Sequence, residues 1–150
     1  DSILVFSREA NGDVAPIRII QGPKTRLDRP GSVSVDPVNN LLGVGTKSGM
    51  LIFDRTADGD TPPRYVIAGP KSGVGVGRGG GGSPTLYPEG KLIISGTRIW
   101  KYGDNGDVPP WAILRSSKLE DRGTKGSVLD VENKELILLT GGAVMVFHVL

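Results

Sequence analysis

The chain has 150 residues, enough for one domain with a core of its own. With 23 Gly, 11 Pro and 37% hydrophobic residues, and no collagen-like period, it must turn often. It has no Cys, which excludes disulfides, thiolate-based zinc sites and cysteine nucleophiles; a formal net charge of +2 is too small to imply nucleic acid by itself.

Taken in chain order, the first unit opens on Ile3-Leu4-Val5-Phe6, a short apolar run that reads as a strand. Asn11-Gly12-Asp13 follows, and Asn-Gly favours the centre of a tight hairpin. Ile17-Arg18-Ile19-Ile20 is the return strand, ended by Gly22-Pro23. Val33-Ser34-Val35 alternates with period two, as a half-buried strand does. Asp36-Pro37-Val38-Asn39-Asn40 is a turn, Leu41-Leu42-Gly43-Val44 a fourth strand, and Lys47-Ser48-Gly49 a further turn.

The same signals then return. Met50 to Phe53, Asp58-Gly59, Arg64 to Ile67 and Gly69-Pro70 form a second set. Ile99 to Tyr102, Asn105-Gly106-Asp107 and Trp111 to Leu114 form a third, and Val144 to Phe147 begins a fourth. Phe6, Phe53, Trp100 and Phe147 stand at intervals of 47 residues, as do Gly12, Gly59 and Gly106. A period within about 20–50 residues marks a repeat architecture. The repeats run over 3–49, 50–98 and 99–143, with the start of another at 144–150. The second departs from the pattern: Gly73 to Gly82 is nearly all Gly and Val, so its inner strand is either short, around Ser83 to Leu86, or built on glycines. No segment has capped helical periodicity. Leu136 to Leu150 is shorter than the ~20 residues a membrane helix needs, and Thr140-Gly141-Gly142 divides it into two strands and a turn.

Four short antiparallel strands per unit predict an all-β fold, a β-propeller segment of about three four-stranded blades in an incomplete ring. The aromatic register would pack each blade against the next. The unit resembles the NHL-type repeat propellers and, more loosely, the gluconolactonase-like six-bladed propellers. The residues that carry this are the apolar-Phe strand, Asn11-Gly12-Asp13, Arg18-Ile19-Ile20 with Gly22, Pro30-Gly31-Ser32-Val33-Ser34-Val35-Asp36 and Asn39; Gly126-Ser127-Val128-Leu129-Asp130 and Asn133 restate the last part. The resemblance implies a ring of six blades, about twice this length. The expected contents are two whole blades, half a blade at the start and most of one at the end. The chain begins at Asp1, and processing, excision or a longer parent chain is expected. Another propeller portion, from a second copy, another chain or missing residues, is then expected to complete the ring.

Gly75-Val76-Gly77-Arg78-Gly79-Gly80 matches the dinucleotide-binding pattern, but that chemistry needs a following helix, and Ser83-Pro84-Thr85 follows instead. Asp58-Gly59-Asp60 and Asn105-Gly106-Asp107 lack the downstream acid of a calcium loop and read as turns. Asp36 and Asp130 recur at strand ends, which favours turn capping. The gluconolactonase-like enzymes hold a divalent metal with carboxylates and an amide on inner strands, and the strands here offer none before the turn. His148 alternates with Phe147 and Val149 and has no visible partner for metal or relay chemistry.

Charge sorts by loop. The loops entering the inner strand, and those joining the second and third strands, share one face. They carry Lys24, Arg26, Arg29, Lys47, Lys71, Arg78, Arg98, Lys118, Arg122 and Lys125, with Asp28, Glu120 and Asp121 as exceptions. The opposite face receives Glu9, Asp13, Asp36, Asp58, Asp60, Asp104, Asp107, Asp130 and Glu132. The expected function is a non-enzymatic protein-binding or scaffold module, a subunit or fragment of a larger assembly, with no cofactor, no catalytic residue and no metal site. Arg26, Arg29, Lys71, Arg78, Lys118, Arg122 and Lys125 are the candidate partner-binding residues. The partner is a protein, with an anionic ligand or polysaccharide as a further candidate. Nucleic acid is disfavoured because the loops hold few stacking aromatics. The setting is read as extracytoplasmic. One rival is a metal-dependent lactonase-like hydrolase with ligands in other blades, which a stoichiometric channel metal would reveal. The other is a nucleic-acid-binding NHL domain, which steep salt dependence would support.

Overall fold

In the computed structural model, residues 1–76, 81–117 and 124–148 are described. These residues form strands, one 3₁₀ turn at Pro23–Thr25 and no α-helix. Thus no helix among them is long and apolar enough to cross a membrane.

Four open antiparallel sheets follow one another along the chain. The first pairs β1 (Ile3–Val5) with β2 (Arg18–Ile20). The second is a meander of β3 (Ser32–Asp36), β4 (Leu41–Gly45), β5 (Met50–Asp54) and β6 (Tyr65–Ile67). The third is a meander of β7 (Thr85–Tyr87), β8 (Leu92–Ser95), β9 (Arg98–Lys101) and β10 (Ala112–Ile113). The fourth contains β11 (Thr124–Asp130), β12 (Glu135–Thr140) and β13 (Val144–His148). The glycine-interrupted second unit keeps a short first strand, β7, in place of a glycine strand.

The core lies between sheets. Because side chains alternate across a strand, β5 sends Leu51 and Phe53 one way and Met50 and Ile52 the other. Leu51 and Phe53 meet Ile20 and Ile3 of the first sheet. Met50 and Ile52, with Leu41 and Ile67, meet Leu86, Ile93 and Trp100 of the third. Tyr87, Ile94 and Ile99 on the other side of that sheet meet Leu136 and Leu138 of the fourth, with Phe147 packed beside them. Phe53, Trp100 and Phe147 of the 47-residue register therefore each face the sheet before them. Phe53 and Trp100 are fully buried, whereas Phe6, just after β1 of the first sheet described, is 45% exposed. Burying such a ring contributes about 2–3 kcal/mol.

The Asp-Gly-Asp and Asn-Gly-Asp segments are not the tight hairpin turns their composition predicts. The connection between β5 and β6 is long enough to reach back to the first sheet. There Gly59 forms a parallel bridge with Ile20. The Gly59 N–H donates to the Ile19 carbonyl at 2.7 Å, and the Gln21 N–H donates to the Gly59 carbonyl at 3.1 Å. Asp58 Oδ1 accepts the Ile19 N–H at 3.0 Å, and Asp60 Oδ1 accepts the Lys24 N–H at 2.7 Å. The pattern recurs between the second and third sheets. Gly106 bridges Ile67, Asn105 Oδ1 accepts the Val66 N–H, and Asp107 Oδ1 accepts the N–H groups of Lys71 and Ser72. Each segment is a clasp between neighbouring sheets. Gly22 and Gly69 receive the clasp carboxylates at φ 131° and 126°. A Cβ at either would overlap the carboxylate of Asp60 or Asp107, so both conformation and space demand Gly.

Candidate functional site

The first strands of the second, third and fourth sheets lie side by side. The Leu86 N–H of β7 donates to Ser34 Oγ of β3 at 3.0 Å, and Thr85 Oγ1 of β7 shares a 2.7 Å hydrogen bond with Ser127 Oγ of β11. At one end of these strands a cleft of about 560 Å³ opens. Its floor is a recurrent Gly-Ser step, Gly31-Ser32 at β3, Gly82-Ser83 before β7 and Gly126-Ser127 in β11.

Its walls come from the turns between second and third strands. Thr46 and Lys47 follow β4, and the Thr46 hydroxyl donates to the Gly49 carbonyl at 2.9 Å, which closes the turn. Ser95, Gly96 and Arg98 form the tight turn from β8 to β9, and Ser95 Oγ accepts the Ser83 N–H at 3.0 Å. Gly81 passes beneath the Thr46 carbonyl so closely that a Cβ would collide with it. The cleft is therefore held by backbone and hydroxyl contacts, in which the side chains of its cations take no part among the described residues.

Arg29, Lys47, Arg98 and Lys125 line the cleft, with no carboxylate among the described lining residues. All four are exposed. The one ion pair among the described residues, Arg64 with Asp54 at 3.1 Å, lies elsewhere. Asp28 stands close by, but its carboxylate accepts the Ser48 hydroxyl. Ser32 Oγ, in the floor, is shielded from solvent and has no hydrogen-bond partner among the described residues. Among the described lining residues cations and hydroxyls meet without an acid, an arrangement that favours negative charge.

Of the seven residues singled out from the sequence, the cleft gathers Arg29 and Lys125. Arg26 is exposed just after the 3₁₀ turn and is not in the lining. Lys71 is exposed beside the Asp107 clasp, also outside the lining. Arg78, Lys118 and Arg122 lie outside the described residues, as does Gly77 to Gly80 of the dinucleotide-like run. Lys47 and Arg98 are the cleft cations the shorter list left out. The repeated Gly-Ser step was the signal for their meeting place.

The separation into a basic and an acidic face breaks at the outer rim. Asp60 and Asp107, assigned to the acidic face, bond the backbone of Lys24 and Lys71 on the basic one. The physical reason is the length of the clasp connection, which carries its acids past the sheet edge. Asp36 does sit at the far end of β3, away from the cleft. It is buried, with Oδ1 accepting the N–H groups of Val38 and Asn39, and Oδ2 accepting the Asn39 amide at 2.8 Å and the Tyr102 hydroxyl at 2.7 Å. Burial alone would raise its pKa, but these hydrogen bonds together hold it below the ordinary value of 3.8. Tyr102 is pushed well above 10.0, first by burial and then by the Asp36 carboxylate. Asp130 repeats the turn-capping role through Asn133.

No group of three or more His, Asp or Glu side chains among the described residues is placed to hold a metal ion. His148 is exposed on β13, opposite Glu135. Compared with known proteins, the chain matches no family model and no curated sequence.

Proposed function

We propose that this chain is a β-propeller portion acting as a non-enzymatic binding or scaffold module, and that its basic cleft receives an anionic segment of a protein partner. The observation that carries this reading is the convergence of Arg29, Lys47, Arg98 and Lys125 on a cleft floored by hydroxyls, with no carboxylate among its described lining residues. Stacked sheets joined along their first strands are what neighbouring blades require, and further blades, from another chain or another part of the same one, would cover the outer faces.

A fluorescently labelled oligo-glutamate peptide tests the cleft. Binding should weaken as salt rises, because exposed charges are screened within about 8–10 Å at physiological ionic strength. The double substitution Arg29→Ala with Lys125→Ala should weaken it about tenfold or more, since charge-assisted hydrogen bonds contribute ~1.5–3 kcal/mol each. Arg8→Ala with Lys134→Ala, at exposed positions outside the cleft lining, should leave it unchanged. Binding indifferent to salt and to Arg29 and Lys125 would sink the proposal. A labelled heparin fragment and a single-stranded oligonucleotide, run in parallel, separate the polysaccharide and nucleic-acid readings. Tighter binding of either than of the peptide displaces the acidic protein segment as the occupant.

A further inference from the structure

Among the described residues, two of the three clasp segments are occupied and the third has no partner. Asn11-Gly12-Asp13 stands 47 residues before Asp58-Gly59-Asp60. It is exposed throughout. Its glycine already has the conformation of the occupied clasps, with φ 73° at Gly12 against 67° at Gly59 and 89° at Gly106. The Val14 N–H closes on the Gly12 carbonyl at 3.1 Å, so the turn is formed without a partner.

The sheet face beside it is equally open. Leu4, Phe6 and Ile19 are 49%, 45% and 39% exposed. Their counterparts 47 residues on, Leu51, Phe53 and Val66, pack into the first inter-sheet core. The clasp and the apolar face thus look toward the same missing neighbour.

The geometry points to one kind of occupant: an extended strand running into an apolar–x–Gly–Pro–Lys–Ser/Thr segment, from a further repeat of this type. Both occupied receivers have that chemistry. One is Ile20-Gln21-Gly22-Pro23-Lys24-Thr25, the other Ile67-Ala68-Gly69-Pro70-Lys71-Ser72. The glycine admits the carboxylate, and the N–H of the lysine binds it. The Thr25 or Ser72 hydroxyl then ties the segment to the glycine carbonyl, at 2.6 and 2.8 Å. Asn11 matches Asn105 as acceptor for the strand N–H, and Asp13 matches Asp60 and Asp107 as acceptor for the lysine N–H.

A second copy of this chain is a poor occupant. Its β2 and β6 receivers are already engaged, and the counterpart of Gly22 and Gly69 beyond β10 is Ser116. A Cβ at that position of the receiver overlaps the incoming carboxylate. The inference rests on reading the sheets as blades, and it names the chemistry of the neighbour that reading requires.

The probe is a synthetic peptide with the sequence of residues 64–73, titrated into the isotopically labelled 150-residue chain and followed by amide shifts. The expected result is saturable shifts at Asn11, Gly12 and Asp13. Asp13→Ala should weaken binding about tenfold, as loss of a hydrogen bond to a charged group does. Asp13 is exposed, so folding is not at stake. A peptide carrying Gly69→Ala should bind at least as weakly. Shifts confined to other residues, or equal binding of the Gly and Ala peptides, overturn the inference. Self-association of the chain abolished by Asp13→Ala also overturns it, because the clasp would then accept the Ser116 segment. Oligo-glutamate binding at Arg29 and Lys125 is measured on the same samples, so failure of the clasp is distinguished from failure of the cleft.

Discussion

At the scale of single residues, the Asp36–Tyr102 pair shows how a local cap becomes a tie between sheets. Asp36 caps its own turn through Asn39, as residues 36–40 suggested, but Tyr102 comes from the third sheet, 66 positions away. Tyr102→Phe should cost about 2 kcal/mol near neutral pH, the contribution of a hydrogen bond to a charged acceptor. The pH dependence has two limbs. Asp36 is lowered below 3.8, so its contribution is present above about pH 4 and is lost as pH falls through its folded value. Tyr102 is raised above 10.0, so its contribution is complete below pH 10 and is lost as pH climbs beyond. Urea melts of wild type and Tyr102→Phe should therefore differ most between those limits and converge on the alkaline side. A difference that stays constant to strongly alkaline pH would refute the assignment.

At the scale of elements, the strands were legible and their neighbours were not. Alternation and turn residues gave Ser32–Asp36 and Leu41–Gly45 almost to the residue, because those signals are local. The clasps were misread because Asn-Gly and Asp-Gly are also good turn formers, while their side-chain partners lie 35 to 39 residues away. The cleft was half legible. Its cations fall in loops that composition marks, but the meeting of three Gly-Ser steps depends on how sheets stack. The Gly-rich run illustrates the same limit. It reads as a weakness in a strand, yet Gly81 is where the chain slides under the turn after β4. Gly81→Ala should destabilise by about 1–3 kcal/mol, the usual cost of overpacking, and should distort the cleft. Gly126→Ala has open space around it and should stay within about 0.5 kcal/mol of wild type, as surface substitutions do. Thermal melts of the two variants check this, and equal effects would show that close packing under Thr46 is not what the glycine serves.

At the scale of the whole molecule, the sheets bury their aromatic register from within and leave both outer faces unfinished. On the first sheet the open face is Leu4, Phe6 and Ile19. On the last it is Val128, Val144 and Val146, 63%, 65% and 54% exposed, beside Leu139 at 48%. Pairing explains the grouping, since Val128 and Val146 both sit opposite Ile137, and Val144 opposite Leu139. Contiguous apolar faces of this kind mark interaction surfaces or drive association, and among the described residues β13 pairs with β12 alone, which adds an open edge to the second of them. The isolated 150-residue chain is therefore expected to self-associate as its concentration rises. This association is carried by apolar area and not by the clasp, so Asp13→Ala should leave it intact. Leu4→Lys and Val146→Lys should each reduce it, with both together giving the largest fall, because a charge on either face opposes burial in a neighbour. Sedimentation velocity across a concentration series, with circular dichroism to verify the fold of each variant, measures the effect. A folded wild-type monomer at every concentration would mean that these faces tolerate water, and the proposal that further sheets cover them would lose its main physical support.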